Sequence, residues 1–146
     1  MLAAARAIVV ENGKILVMHR DKNGSQYFTL VGGGVDDGET AEQSVVREVM
    51  EETGLQVTSC RLVYIEKHDP PYNQQYIYLC EVAPHAGIAI QEASEEAILN
   101  RLGANTHTPL WAEASSFAKL PFRTPQLQIA ITQAIKHGFP TQPVNL

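Results

Sequence analysis

The chain has 146 residues, enough for one domain with its own core. Hydrophobic residues make up 45% and charged residues 18%, the balance of an ordinary globular protein rather than a disordered or fibrous one. Sixteen acids against eleven Lys and Arg leave a formal charge of −5, which argues against broad binding to a nucleic-acid polymer. It leaves phosphate-bearing small molecules open, because a bound divalent cation reverses the local sign.

Before Glu11 only Ala7 to Val10 is apolar without interruption, too short for a signal-peptide core or a membrane span. A cytoplasmic protein with no membrane partner is expected. Residues 3–10 and 14–20 are apolar and β-branched, and Glu11-Asn12-Gly13 between them carries an Asn-Gly turn signal, so the pair reads as a hairpin. A polar turn at Asp21 to Ser25 leads to a short strand, Gln26 to Val31. Three glycines, Gly32, Gly33 and Gly34, then interrupt regular structure.

The spacing next predicts a helix over 41–53. Thr40 with Gln43 forms a capping-box pattern at its start, and Gly54 stands where a left-handed C-terminal cap belongs. Ala41, Val45 and Val49 give the apolar stripe, which Val46 and Met50 widen. Val57 to Lys67 and Gln74 to Val82 read as two long strands joined by the turn-rich His68 to Asn73. Residues 84–105 read as a polar loop with a helical turn around Glu95 to Leu102, followed by a short strand at Thr106 to Ala112. A final amphipathic helix is expected at Pro125 to Lys136, with Leu127, Ile131 and Ile135 on one side. Cys60 and Cys80 fall in strands, and a pair of buried reduced thiols fits a cytosolic enzyme better than a disulfide. Nothing divides the chain, which reads as one domain of mixed α and β structure over residues 1–146.

Chemistry concentrates at the end of the first helix. Glu48, Glu51 and Glu52 stand at i, i+3 and i+4, which places all three carboxylates on one face with Cβ atoms about 5–6 Å apart. Like charges at that spacing repel, and they crowd the end where the helix dipole is already negative. A solvated polar face is the ordinary explanation of a Glu-Glu pair. The triad beside Arg47, after a glycine-rich loop and before a glycine stop, points instead to carboxylates that receive a cation. Oxygen ligands without nearby His or Cys suit a hard ion, Mg²⁺ with Mn²⁺ as a substitute. Two such ions roughly 3.5–4 Å apart activate a water and steady a leaving oxygen in phosphoryl displacement.

From Gly33 the pattern runs through Glu39, Arg47-Glu48-Val49 and Glu51-Glu52 to Gly54-Leu55. Residues 33–55 so spaced resemble a complete Nudix box, and the chain is similar to hydrolases of that family. The resemblance implies an α/β/α sandwich with a mixed β-sheet between helices, and water attack on a diphosphate linked to some group X. It implies that Glu48, Glu51 and Glu52 bind metal, that Glu48 or Glu52 is the general base, and that the Gly32 carbonyl contacts the ion. Glu39 and Arg47 would brace the loop and helix. A later acid would complete the site, with Glu92, Glu95 and Glu96 as candidates and Glu95 favoured. One departure is Val31, where many members have a proline before the glycine pair; no expected ligand is lost with it.

For the substrate, a small nucleotide or nucleoside diphosphate derivative, Arg20 is the candidate phosphate ligand, alongside Gly33, Gly34 and Tyr72. Tyr27 and Phe28 are aromatic neighbours better read as packing groups. Within the resemblance, Pro70 sits where ADP-ribose hydrolases carry a marker and Tyr72 where dinucleoside polyphosphate hydrolases do, so the two cancel. The chain is short for the former, which favours nucleoside triphosphates or other small nucleotides. The rival reading is a silent, Nudix-like nucleotide-binding or sensor domain. Edge strands leave pairing into a homodimer open, and no residue requires it.

Overall fold

A computed structural model describes residues 2–68, 70, 72–89, 103 and 105–146. In chain order the elements are β1 (Ala3–Ile8), β2 (Val10–Glu11), β3 (Lys14–Lys22), β4 (Ser25–Thr29), β5 (Val31–Gly34), α1 (Ala41–Thr53), β6 (Val57–Lys67), β7 (Gln74–Val82) and β8 (Asn105–Glu113). A 3₁₀ helix (Ala114–Lys119), α2 (Pro125–His137) and β9 (Val144–Asn145) follow. The strands form two sheets. One has the order β5-β1-β7-β6-β9 and mixes parallel and antiparallel pairs. In the other, β3 pairs with β8 along one edge and with β2 and β4 along the other.

Alternation along the strands sends side chains to two cores. Ala5, Ala7, Val9, Leu16, Met18 and Val31 join Val45 and Val49 of α1. Ile8, Ile15, Val17, Leu30 and Ile77 join Leu127 and Ile131 of α2. Neighbours in sequence thus face opposite layers, the period of two expected where helices cover both faces. The result is a mixed sheet flanked by helices, as expected from the box.

Three expectations are corrected. Residues 3–10 do not form a hairpin with 14–20: β1 lies between β5 and β7, and only Val10 and Glu11 pair with β3. The run is apolar on both faces, which suits an interior strand, and the Asn-Gly turn joins only the short β2 to β3. The glycines do not interrupt structure. Gly32 to Gly34 lie in β5, and the expected single strand over 26–31 is split at Leu30 between the two sheets. Val46 and Met50 do not widen the buried stripe of α1 but stand 40% and 41% exposed. The inward side of that helix is taken by Ser44, Val45, Glu48, Val49 and Glu52 instead.

The rest of the reading stands close to the observed bounds. Helix α1 and strands β6 and β7 fall on the expected residues, and β8 and α2 extend the expected ranges by one residue at an end or both. Cys60 and Cys80 face each other across β6 and β7 as free thiols, with Cys80 buried and Cys60 half-buried. The expected helical turn at 95–102 lies outside the described residues. No helix among the described residues is long and apolar enough to cross a membrane.

Candidate active site

Helix α1 is fixed at both ends by its own sequence. The Thr40 hydroxyl accepts from the Gln43 amide at 3.1 Å while the Gln43 side chain accepts from the Thr40 amide at 2.9 Å. Gly54 closes the helix at φ +79°, donating to the Met50 carbonyl at 2.8 Å. A capping box and a left-handed glycine satisfy backbone groups that would otherwise fray the turns carrying the acids.

Between those caps, Glu48 and Glu52 point inward, only 6% and 3% exposed. They meet β5 at its glycines. The Gly32 amide donates to Glu52 Oε2 at 3.0 Å. A Cβ on Gly33 would stand 2.7 Å from Glu48 Oε1, so the missing side chain makes room for that carboxylate. Gly34 is covered by Tyr72, whose hydroxyl would be 3.0 Å from a Cβ there. The glycine run is thus a bare strip of strand with carboxylates on one side and an aromatic hydroxyl beside it.

Arg47 does more than brace. Its Nε and Nη2 donate to both oxygens of Glu39 at 2.8 and 3.1 Å, and Nη2 reaches the Gly34 carbonyl at 3.3 Å. Nη1 donates to Glu48 Oε1 and Glu51 Oε2, both at 3.1 Å. The guanidinium therefore offsets the repulsion that the acid spacing builds in. The same bidentate bond holds the Glu39 carboxyl down at about 2 and pushes the Arg47 guanidinium above its usual range.

A cavity of about 280 Å³ opens on this strip. Of the sequence candidates it brings together Arg20, Gly32, Gly33, Gly34, Glu48, Glu52 and Tyr72. It does not bring Glu51, whose side chain is 38% exposed and turned to Arg47. Glu92, Glu95 and Glu96 lie outside the described residues. Arg6, Asn105 and His107 also line the cavity and were not anticipated. Arg6 carried a signal: a lone charge in a buried apolar strand needs a partner, and its Nη1 donates to the Leu30 and Gly32 carbonyls at 3.3 and 3.2 Å. Asn105 and His107 arrive through pairing of β8 with β3, which sets His107 opposite Arg20. Asn105 Oδ1 accepts from Arg20 Nη2 at 3.2 Å.

Among the described residues no three His, Cys, Asp or Glu side chains stand together as a ready metal cage. The donor chemistry still suits a hard divalent cation. Two buried carboxylates face the cavity without nearby thiol or imidazole ligands from their own helix, and Mg²⁺ commonly uses one or two carboxylates with water and substrate oxygens completing its shell.

Comparison with known proteins gives a consistent picture. The family model for the NUDIX domain matches residues 1–120. The chain is 41% identical over 61 residues to an RNA pyrophosphohydrolase of Haemophilus influenzae, covering 42% of this chain and 31% of that protein. It is 33% identical over 83 residues to the NAD-capped RNA hydrolase NudC of Pectobacterium carotovorum, covering 56% and 32%. The matches span about a third of the length of these relatives. The solution structure of the E. coli ORF135 protein superposes with a TM-score of 0.69 at 20% identity, over 97% of this chain and 95% of that one. The MutT protein of Methanosarcina mazei gives 0.67 at 15%, over 92% and 95%.

Proposed function

The chain belongs to the Nudix family, and on that premise we propose that it is a Mg²⁺-dependent hydrolase that cuts a phosphoanhydride bond in a nucleoside diphosphate linked to X. The observation that carries this reading is the pair of buried carboxylates, Glu48 and Glu52, facing the Gly32–Gly34 strip across a cavity that also holds Arg20. Glu48 and Glu52, joined by Glu51, would hold Mg²⁺, with Mn²⁺ as a substitute, and a bound ion lowers the pKa of a water and neutralises phosphate charge. Glu48 or Glu52 accepts the proton of the attacking water. Arg20 pairs with a phosphate oxygen, and Gly33 and Gly34, which line the same cavity, contact the diphosphate through their backbone. Glu39 and Arg47 hold the loop and the acids in register.

The net charge of −5 favours a small nucleotide over an RNA polymer, although the relatives above are named as an RNA pyrophosphohydrolase and an NAD-capped RNA hydrolase. The pyrophosphohydrolase chemistry in the first relative's name agrees with the bond proposed here. A silent binding domain is disfavoured because every fixed position of the box over 33–55 is filled.

The test is incubation of the purified protein with Mg²⁺ and a panel of nucleoside triphosphates, ADP-ribose, dinucleoside polyphosphates and nucleotide sugars, with products resolved by chromatography. Metal-dependent cleavage abolished by Glu52→Gln supports the hydrolase. Nucleotide binding without turnover across the panel would replace it with the binding domain.

A further inference from the structure

Beside the site described above lies a second cavity of about 290 Å³, with Arg6, Arg20, Thr29 and Leu30 lining both. Its lining is cationic: Arg6, Arg20, Lys22 and Arg123, with His68 at the margin. No Asp or Glu is among the described residues that line it. In a chain with more acids than bases, Arg6, Lys22 and Arg123 bring three positive charges to one cavity, a local field that favours an anion.

The carboxylate bonded to Gln75 of this lining is already engaged. Glu66 accepts from Gln75 Nε2 at 2.6 Å and from Thr124 Oγ1 at 2.5 Å. Arg6 donates to the neutral carbonyls of Leu30 and Gly32, and among the described residues Lys22 and Arg123 form no ion pair. The Thr29 hydroxyl, on the wall common to both cavities, is buried with no hydrogen-bond partner among the described residues.

A nucleobase is a poor occupant. Tyr27, the aromatic ring of this cavity, carries the Arg123 guanidinium 3.7 Å from its centroid and that of Arg20 at 5.7 Å. The ring serves to seat cations rather than to offer a stacking face. Arginine forks, a lysine and a hydroxyl are the donors that recognise phosphate.

We propose that this second cavity is an anion subsite for a phosphate of the substrate separate from the anhydride that is cut. The substrate class is then a nucleotide phosphorylated at two places, with Arg20 between the two sites. The assignment of the anion to the substrate rests on the hydrolase reading; the existence of the subsite does not.

The first measurement needs no catalysis. The ¹⁵N-labelled full chain, kept metal-free with EDTA, is titrated with inorganic phosphate and followed by amide chemical shifts. Saturable shifts centred on Lys22, Tyr27, Gln75 and Arg123 are expected, with affinity reduced at least tenfold by Lys22→Gln combined with Arg123→Gln. Both positions are exposed, so matching thermal melts should show that the double variant folds. Shifts elsewhere, or shifts unmoved by the double variant, would overturn the subsite.

The second measurement addresses the substrate. Calorimetry on Glu52→Gln compares ADP-ribose with its 2′-phosphate and dephospho-coenzyme A with coenzyme A. At least one phosphorylated member should bind tenfold or more tightly than its partner, and the preference should vanish with the double variant. Equal affinity, or no binding, in both pairs would overturn the doubly phosphorylated substrate while leaving the turnover panel to judge the hydrolase.

Discussion

Neighbouring glycines in β5 should respond to the same added methyl in opposite ways. At Gly33 the backbone φ lies outside the positive range, so alanine is allowed, and its Cβ would meet Glu48 Oε1 at 2.7 Å and Cδ at 2.9 Å. Relief to an ordinary 3.4 Å contact requires the carboxylate to move by about 0.7 Å. The moving part is the end of a side chain, and losing a glycine also reduces unfolded-state freedom by roughly 0.4–1 kcal/mol. The melting temperature of Gly33→Ala should therefore stay within a few degrees of the native protein. A displacement near 1 Å in a reacting group commonly costs on the order of a hundredfold, about 2.7 kcal/mol of barrier. At Gly32 the φ is +150°, and a Cβ would lie 2.1 Å from the Ala5 carbonyl oxygen and 2.8 Å from the Arg6 Cα. That collision is with the backbone of β1, which cannot swing aside, and should cost about 3 kcal/mol or more. At roughly 2–4 °C per kcal/mol, Gly32→Ala should melt at least about 6 °C lower. Circular dichroism melts and Mg²⁺-dependent turnover, run on both variants, separate the cases. If Gly33→Ala kept full kcat/KM, or if both variants lost the same stability, the assignment of Glu48 to a fixed position against this strand would be wrong.

Other perturbations test the surrounding parts. Glu39 titrates near 2 when folded against 4.5 ordinarily, so its stabilising effect is complete above about pH 4.5 and drains as pH falls toward 2. Melts of native protein and Glu39→Gln should accordingly differ by a constant amount at neutral pH and converge in acid; a gap that persists at pH 2 contradicts the Arg47 bond as its source. Addition of Mg²⁺ to metal-free protein should raise the melting temperature, and Glu48→Gln should shrink that rise. Equal rises in both proteins would exclude Glu48 as a ligand. Burial, aided by the Glu42 carboxylate 3.2 Å away, pushes the Cys60 thiol up to about 11, and burial moves Cys80 the same way. At pH 8 Cys60 should react with a disulfide reagent roughly a hundredfold more slowly than a free thiol, and Cys80 no faster than Cys60, with the rate followed spectrophotometrically. Fast modification of the native protein would show that the strand pair opens.

What could be read from the sequence was local. Helix α1 was legible at both ends because Thr40, Gln43 and Gly54 act within one turn of themselves. Strands β6 and β7 were legible because long runs rich in β-branched and aromatic residues, bounded by turn residues, have few alternatives. The expected hairpin failed because pairing of β1 with β5 and β7 is decided by residues 24 or more positions away, while the Asn-Gly turn speaks only for its immediate neighbours. Asn105 and His107 were hidden for the same reason: their place in the cavity comes from the register of β8 on β3. Arg6 was the one distant lining residue with a local trace, a charge set in an otherwise apolar strand.

The role of Arg47 was half visible. Its partnership with Glu39 follows from the box, but its contacts with Glu48 and Glu51 require the side chains to be seen. They resolve a difficulty in the charge pattern. Three acids at the negative end of a helix would be unfavourable alone, yet a single guanidinium touches two of them, while the third is satisfied by the Gly32 amide. These contacts offset part of the repulsion among the acids.

The same layout explains how an acidic protein could admit a polyanion. Glu48 and Glu52 lie on the α1 side of the first cavity, Lys22 and Arg123 line only the second, and Arg6 and Arg20 line both. An approaching phosphate meets repulsion at one end and attraction at the other, so the cleft has a built-in direction. Without a divalent ion, the cationic end is the favourable place for an anion; with one, the acid end becomes favourable as well. A substrate with charge at two separated places satisfies both ends together. Under the proposed subsite a single short phosphate chain would satisfy only one, and the separation of charge would select for length and spacing of phosphate rather than for the identity of a base.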